Sequence, residues 1–260
     1  MLVSTLMTSP VLSVSVHTPL DAAYQLMASR RISSVPVVDG EDRPIGVLSM
    51  TDLLRIGRLQ PASLAGIQPI ELPSEPVGEH MHKGVISVPP DATATAAAKL
   101  MVENHVHRVY VEEEGKIVGV LSIEDLLVVV RGLHLQQPIG EVMTKPVISI
   151  LHTTSLREAA ARLDRAGVTG VAVVDEYKHP VGMFTQVEAL AARELSPDDP
   201  VEIVMNYAVL HQHMKTPLYR AAAHAYEARA RRVLVMESGE LVGVVTGLDF
   251  ARALVATIAE

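Results

Sequence analysis

Four stretches of this chain are copies of one another. Met7, Met81, Met143 and Met205 each open a similar passage, and "MTSPVLSVSVHTPLDAAYQLM", "MHKGVISVPPDATATAAAKLM", "MTKPVISILHTTSLREAAARL" and "MNYAVLHQHMKTPLYRAAAHA" align without a gap. Further along, "GVLSMTD", "GVLSIED", "GMFTQVE" and "GVVTGLD", beginning at Gly46, Gly119, Gly182 and Gly243, hold the same register to within one residue. Self-similarity at this period means one supersecondary unit used repeatedly. A unit of roughly 50–60 residues buries too little apolar surface to stand alone, so the copies are expected to associate in pairs.

Within a copy the pattern reads as an extended segment, a helix, two strands and a second helix. "PVLSVSV" alternates apolar and polar residues as a half-buried strand does. Thr18-Pro19 and Thr216-Pro217 place an N-cap before a proline at the first helical position. "SSVPVVD" and "PIGVLSM" flank the turn "GEDR" and predict a hairpin, and "TDLLRIG" starts the closing helix. The fold class is therefore α/β (α+β), small mixed sheets flanked by helices, in copies spanning 1–57, 76–133, 138–194 and 199–260. The connector from Arg58 to Gly78 carries prolines 61, 69, 73 and 76, "RGLHLQQPIGE" separates copies two and three, and "ELSPDDPVE" joins three and four. These connectors favour chain-adjacent pairing into modules 1–133 and 134–260.

Composition narrows the function. Aromatics are 3% of the 260 residues and Trp is absent, which argues against a base-stacking platform for nucleic acid. A formal net charge of -8 and a pI near 5.8 argue against a duplex-binding surface. No cysteine is present, so disulfides and thiolate chemistry are excluded and a reducing cytoplasm fits. The N-terminus lacks the basic region of a signal peptide, and the most apolar run, "GVLSIEDLLVVV", carries two acids and is too short to span a bilayer. A soluble cytoplasmic protein without membrane insertion is expected.

The repeated hydroxyl–carboxylate pairs, Ser49/Asp52, Ser122/Asp125, Thr185/Glu188 and Thr246/Asp249, have the spacing of a capping box. Three of the four acids are the shorter Asp, whereas a capping box favours Glu or Gln, so a second role is open. The fourfold pattern of "MTxPV(I/L)SV", a capped helix, "RVxV" and "GVLSxxDLL" resembles the CBS domain, named after cystathionine beta-synthase, over essentially the whole chain. The resemblance implies tandem CBS folds paired into two Bateman modules, whose clefts take adenosine-containing ligands. It also implies that the Ser/Thr and Asp of each pair meet a ribose diol, with Glu188 departing from that pattern.

Aligned with Ser33-Ser34 of copy one are His107-Arg108, Thr169-Gly170 and Arg231-Arg232. Members that bind phosphorylated adenosine often carry basic residues here, and arginine forks onto phosphate through charge-assisted hydrogen bonds. AMP, ADP or ATP is thus favoured over NAD or S-adenosylmethionine, with the best-equipped half-sites in copies two and four. A homodimer and a protein partner switched by ligand are implied; a scaffold with empty clefts or a regulator of an ion transporter is the alternative. Pairs such as His80-x-His82, His105-x-His107 and His211-x-His213 fall at different repeat positions, and no metal site is assigned to them. No catalytic constellation stands outside the repeat, so no enzyme activity is expected.

Overall fold

The computed structural model describes residues 1–58, 72–192 and 195–257; Pro61 and Pro69 of the first connector lie outside them. In the first motif, β1 (Val14–Ser15) runs parallel to β2 (Ser34–Val38), which pairs antiparallel with β3 (Pro44–Ser49). The helix α1 (Leu20–Arg30) crosses from β1 to β2, and α2 (Met50–Arg58) follows β3. A further strand, β4 (His82–Lys83), joins the free edge of β3. The second motif repeats the order as β5 (Ser87–Val88), α3 (Ala94–Glu103), β6 (Arg108–Glu113), β7 (Lys116–Ser122) and α4 (Ile123–Gly132).

A single helical turn, α5 (Ile139–Val142), leads into the third motif: β8 (Ser149–Leu151), α6 (Leu156–Ala166), β9 (Gly170–Val174), β10 (Pro180–Thr185) and α7 (Gln186–Ala191). The fourth comprises β11 (His211–His213), α8 (Leu218–Glu227), β12 (Arg232–Glu237), β13 (Glu240–Thr246) and α9 (Gly247–Ala256). Each predicted hairpin forms. Those of motifs two and four turn through Glu114-Gly115 and Ser238-Gly239, all four residues at positive φ, which suits the right-handed twist of the flanking strands.

The helices of the motifs, not their order along the chain, decide which cores are shared. One compact unit contains Met1–Val11, Ile86–Val147 and Val209–Glu260, so motif two shares its core with motif four. The other contains Leu12–Val85 and Ile148–Ala208, so motif one shares its core with motif three. These units interleave along the sequence, each drawing on both halves of the chain. In the first unit α3 packs on α9 and α4 packs on α8. The buried faces are rich in alanine, Ala94, Ala97 and Ala98 on α3 and Ala221, Ala222 and Ala225 on α8, which lets helix backbones approach closely. The connectors carry no information about which copy supplies the opposing face.

Chain-adjacent motifs are linked differently, by exchange of the segments that lead into them. Val3, Val77, Ile139 and Val201 each lie four residues ahead of a repeat methionine and are fully buried. None of them serves its own motif. The amide of Val3 donates to the carbonyl of Ala92 (2.8 Å), and that of Val77 to Thr18 (2.8 Å). Likewise Ile139 donates to Thr216 (2.9 Å) and Val201 to Thr154 (2.7 Å).

The favour is returned at the helix starts. Leu20, Ala94, Leu156 and Leu218, the first residues of α1, α3, α6 and α8, donate to the carbonyls of Glu75 (3.0 Å), Met1 (2.9 Å), Asp199 (2.9 Å) and Gln137 (2.8 Å). This corrects the expected caps of α1 and α8. Pro19 and Pro217 are themselves the N-cap residues, without a side-chain bond, and the helices begin one residue later. A main-chain carbonyl from the neighbouring motif satisfies the amide that Thr18 or Thr216 was expected to serve.

The repeat glycines explain the repeat methionines. An ideal Cβ on Gly46, Gly119, Gly182 or Gly243 would lie 2.6, 2.3, 2.5 or 2.2 Å from the Sδ of Met81, Met7, Met205 or Met143. Each methionine of an exchanged segment thus lies flat on the glycine of its chain neighbour, where only a bare Cα leaves room. Gly119→Ala is expected to destabilise the protein by about 1–3 kcal/mol by overpacking, and adding Met7→Ala should recover part of that loss in chemical denaturation.

Candidate functional site

All four hydroxyl–carboxylate pairs close at a helix N-terminus. The amide and hydroxyl of Ser49 donate to Asp52 Oδ2 at 2.8 and 2.6 Å, and those of Ser122 to Asp125 Oδ2 at 2.7 and 2.6 Å. Thr246 repeats this with Asp249 Oδ2 at 2.7 and 2.8 Å. In α7 the amide of Thr185 donates to Glu188 Oε2 at 2.9 Å and its hydroxyl bonds the same oxygen, so the longer acid fills the same role. The acids therefore hold the helix starts in place before any ligand is considered.

What the second carboxylate oxygen does separates the copies. Asp52 is buried, and its Oδ1 lies 2.8 Å from Nε2 of His82, the residue after the exchanged Met81. Asp249 is 2% exposed; its Oδ1 accepts from Arg252 Nη1 at 2.6 Å and from Thr144 Oγ1 at 3.3 Å, Thr144 being the residue after the exchanged Met143. Asp125 is only half-buried. Burial is the largest influence on it and pushes its pKa above the usual aspartate range, opposed by the bonds from Ser122. Sequence reasoning missed His82, Thr144 and Arg252 as partners, although the methionine one residue earlier was the available signal for the first two.

The basic residues of motifs two and four come together in one place. Ile123 and Gly247, the first residues of α4 and α9, abut so closely that a Cβ on Gly247 would lie 2.3 Å from Ile123 Cγ2. Beside this junction Arg231 Nε meets Glu124 Oε1 at 3.1 Å, an ion pair that crosses from motif four to motif two. His107 belongs to the same cluster. Lost solvation lowers its pKa most, and the charges of Arg232, Arg108 and Arg231 lower it further, while Glu124 opposes them. Arg108 is desolvated too and feels Glu124, Arg231 and Asp125. The other unit is neutral at the matching positions, Ser33, Ser34, Thr169 and Gly170; there Thr51 donates to Gln186 Oε1 at 2.7 Å.

Two smaller clusters involve the exchanged segments. His152 Nδ1 is 2.6 Å from Glu202 and Nε2 is 2.9 Å from Glu176, so both ring nitrogens face a carboxylate and the cation is favoured. Bonds to Glu176 and then Glu202 raise its pKa above 6.5. A raised histidine pKa stabilises the fold fully below 6.5 and ceases to do so as pH climbs through the folded value. His152→Gln should therefore lower the melting temperature at pH 5.5, with the difference from the parent shrinking at alkaline pH. Among the described residues, Glu75, Glu79 and His80 are a group that could hold a metal, and His80 is already engaged with Glu75. His82, two residues further on, sits on Asp52.

A family model for the CBS domain matches residues 3–58, 77–132, 139–194 and 195–256, so this chain belongs to the CBS domain family. Its architecture is that of the tandem CBS folds expected from the sequence. The protein is 24% identical over 270 residues to the uncharacterized protein MJ1404 of Methanocaldococcus jannaschii, covering 96% of this chain and 61% of that one. It is thus similar to about three fifths of that relative's length. With MJ1225 of the same organism it shares 25% identity over 194 residues, 66% of this chain and 69% of the relative.

The crystal structure of MJ1225 superposes with a TM-score of 0.82 at 17% identity, covering 97% of this chain and 99% of that one. A conserved protein from Pyrococcus horikoshii superposes with a TM-score of 0.69 at 21% identity over 98% of this chain and 100% of that one. At such identities the likeness is one of fold. No helix among the described residues is long and apolar enough to cross a membrane.

Proposed function

We propose that this CBS protein is a regulatory sensor of adenine nucleotides, with its phosphate-recognising site in the unit built from motifs two and four. The observation that carries this reading is the gathering of His107, Arg108, Arg231 and Arg232 beside the α4 N-terminus, where Ser122 and the half-buried Asp125 stand. Phosphate oxygens suit the arginines and the helix N-terminus, and a ribose diol suits the carboxylate. Family membership supports an adenosine-containing ligand in general. The cluster's charge favours AMP, ADP or ATP over S-adenosylmethionine and NAD.

Ranking the half-sites by their neighbours places Ser122 and Asp125 first. Thr246 and Asp249 follow, because using Asp249 would require displacing Thr144 or Arg252. Ser49/Asp52 and Thr185/Glu188 act as caps in the unit that has no basic residue at the matching positions. We carry over from the sequence a homodimer in the cytoplasm, made of modules 1–133 and 134–260, that engages or releases a protein partner as ligand shifts its conformational population. The catalytic and metal roles stay unassigned.

A thermal-shift series with AMP, ADP, ATP, NAD and S-adenosylmethionine tests the reading. A ligand at about 100 times its dissociation constant stabilises by roughly 2.7 kcal/mol. Arg108→Ala should remove the shift given by the nucleotides, whereas Ser34→Ala should leave it. Absence of any shift at millimolar ligand would favour the scaffold alternative, for which the self-satisfied caps of Asp52 and Asp249 speak.

A further inference from the structure

Glu124 differs from its counterparts. It is the second residue of α4, beside the capping Asp125 but not part of the cap, and the equivalent positions of the other motifs carry Thr51, Val187 and Leu248. Its carboxylate is partly exposed, 35% by side chain, and reaches across to Arg231 Nε at 3.1 Å. The arginine it holds is one of the basic groups that a phosphate would engage. An acid inside a cationic cluster satisfies an arginine while no ligand is bound, and it repels any anion that arrives. That repulsion scales with the anion's charge, as the attraction of the arginines does, so the net selectivity depends on the acid's presence.

We infer that Glu124 is a specificity residue of this site, a built-in carboxylate that holds Arg231 and sets a penalty rising with each added phosphate. The inference rests on the nucleotide reading above and extends it to the choice between AMP and ATP. Glu124 biases the site toward the less charged ligand, and a nucleotide that binds must take Arg231 from it. Glu124 also accounts for the one influence that opposes the lowering of the His107 pKa by its three arginine neighbours.

Calorimetric titration of the full chain and of Glu124→Gln with AMP, ADP and ATP tests this. The variant should bind all three more tightly, by about fivefold for each ligand charge if the removed carboxylate lies roughly 8 Å away in a half-solvated setting. The gain should therefore be greatest for ATP and should shrink as salt is raised. In the ligand-free protein, the His107 ring protons followed by NMR should titrate at lower pH in the variant. Equal gains for the three nucleotides, or none, with parent binding intact, would overturn the role of Glu124 and leave the nucleotide reading standing. Failure of both proteins to bind any of the three would overturn both.

Discussion

Val3→Asp is expected to destabilise motif two rather than motif one, in which the residue lies by sequence. Val3 is fully buried among side chains of motifs two and four, its amide bonds Ala92, and the carbonyl two residues earlier caps α3 at Ala94. A carboxylate forced into that core has no partner, and a loss of roughly 3–5 kcal/mol is expected. Ser4→Asp, at an exposed neighbouring position, should stay within about 0.5 kcal/mol of the parent. Hydrogen exchange would locate the damage. Amides of α3 and α4 should lose protection while those of α1 keep it. Loss confined to α1 and β2 would contradict the exchange of leading segments, and it would restore the simpler picture in which each motif keeps its own N-terminus.

Asp249→Ala should cost about 2–4 kcal/mol, more than an ordinary helix cap. A cap alone contributes about 1 kcal/mol. Here the side chain is 2% exposed and serves four donors, the amide and hydroxyl of Thr246, the guanidinium of Arg252 and the hydroxyl of Thr144. Its removal leaves a buried start of α9 uncapped and frees an arginine that is 48% exposed, which solvent partly compensates. Denaturant titration measures the cost. The same variant separates two roles, because a nucleotide-induced shift that survives in it places the ligand on Asp125 of motif two. A lost shift with unchanged stability would instead make Asp249 a ligand residue rather than a cap.

These expectations show how far the sequence could be followed. The strands, hairpins and hydroxyl–carboxylate caps were legible because each is local. Val35, Pro36 and Val37 form a buried apolar run in β2, Glu114-Gly115 fits its turn, and Ser122 lies three residues from Asp125 whatever the rest of the chain does. The capping and ligand roles of the acids were not separable at that level. Separating them depends on the second carboxylate oxygen, which His82 or Thr144 reaches from a distant segment. The first helix of motif one was misplaced by one residue for the same reason, since the amide of Leu20 finds its acceptor at Glu75.

The sequence by itself determined four copies of one unit, the elements inside each, and which copies carry basic residues. Those properties follow from hydrophobic period, turn chemistry and residue type, all set within a few residues of the chain. Only the tertiary structure decided that motif two shares its core with motif four, and that the leading segments are exchanged between neighbours. It also brought Arg231 of motif four onto Glu124 of motif two, beside His107 and Arg108. Four near-identical apolar faces offer nearly equivalent partners, so patterning alone cannot choose among them. The choice is made by how whole helices fit, Ala94, Ala97 and Ala98 of α3 against α9 and Ile123 against the bare Cα of Gly247.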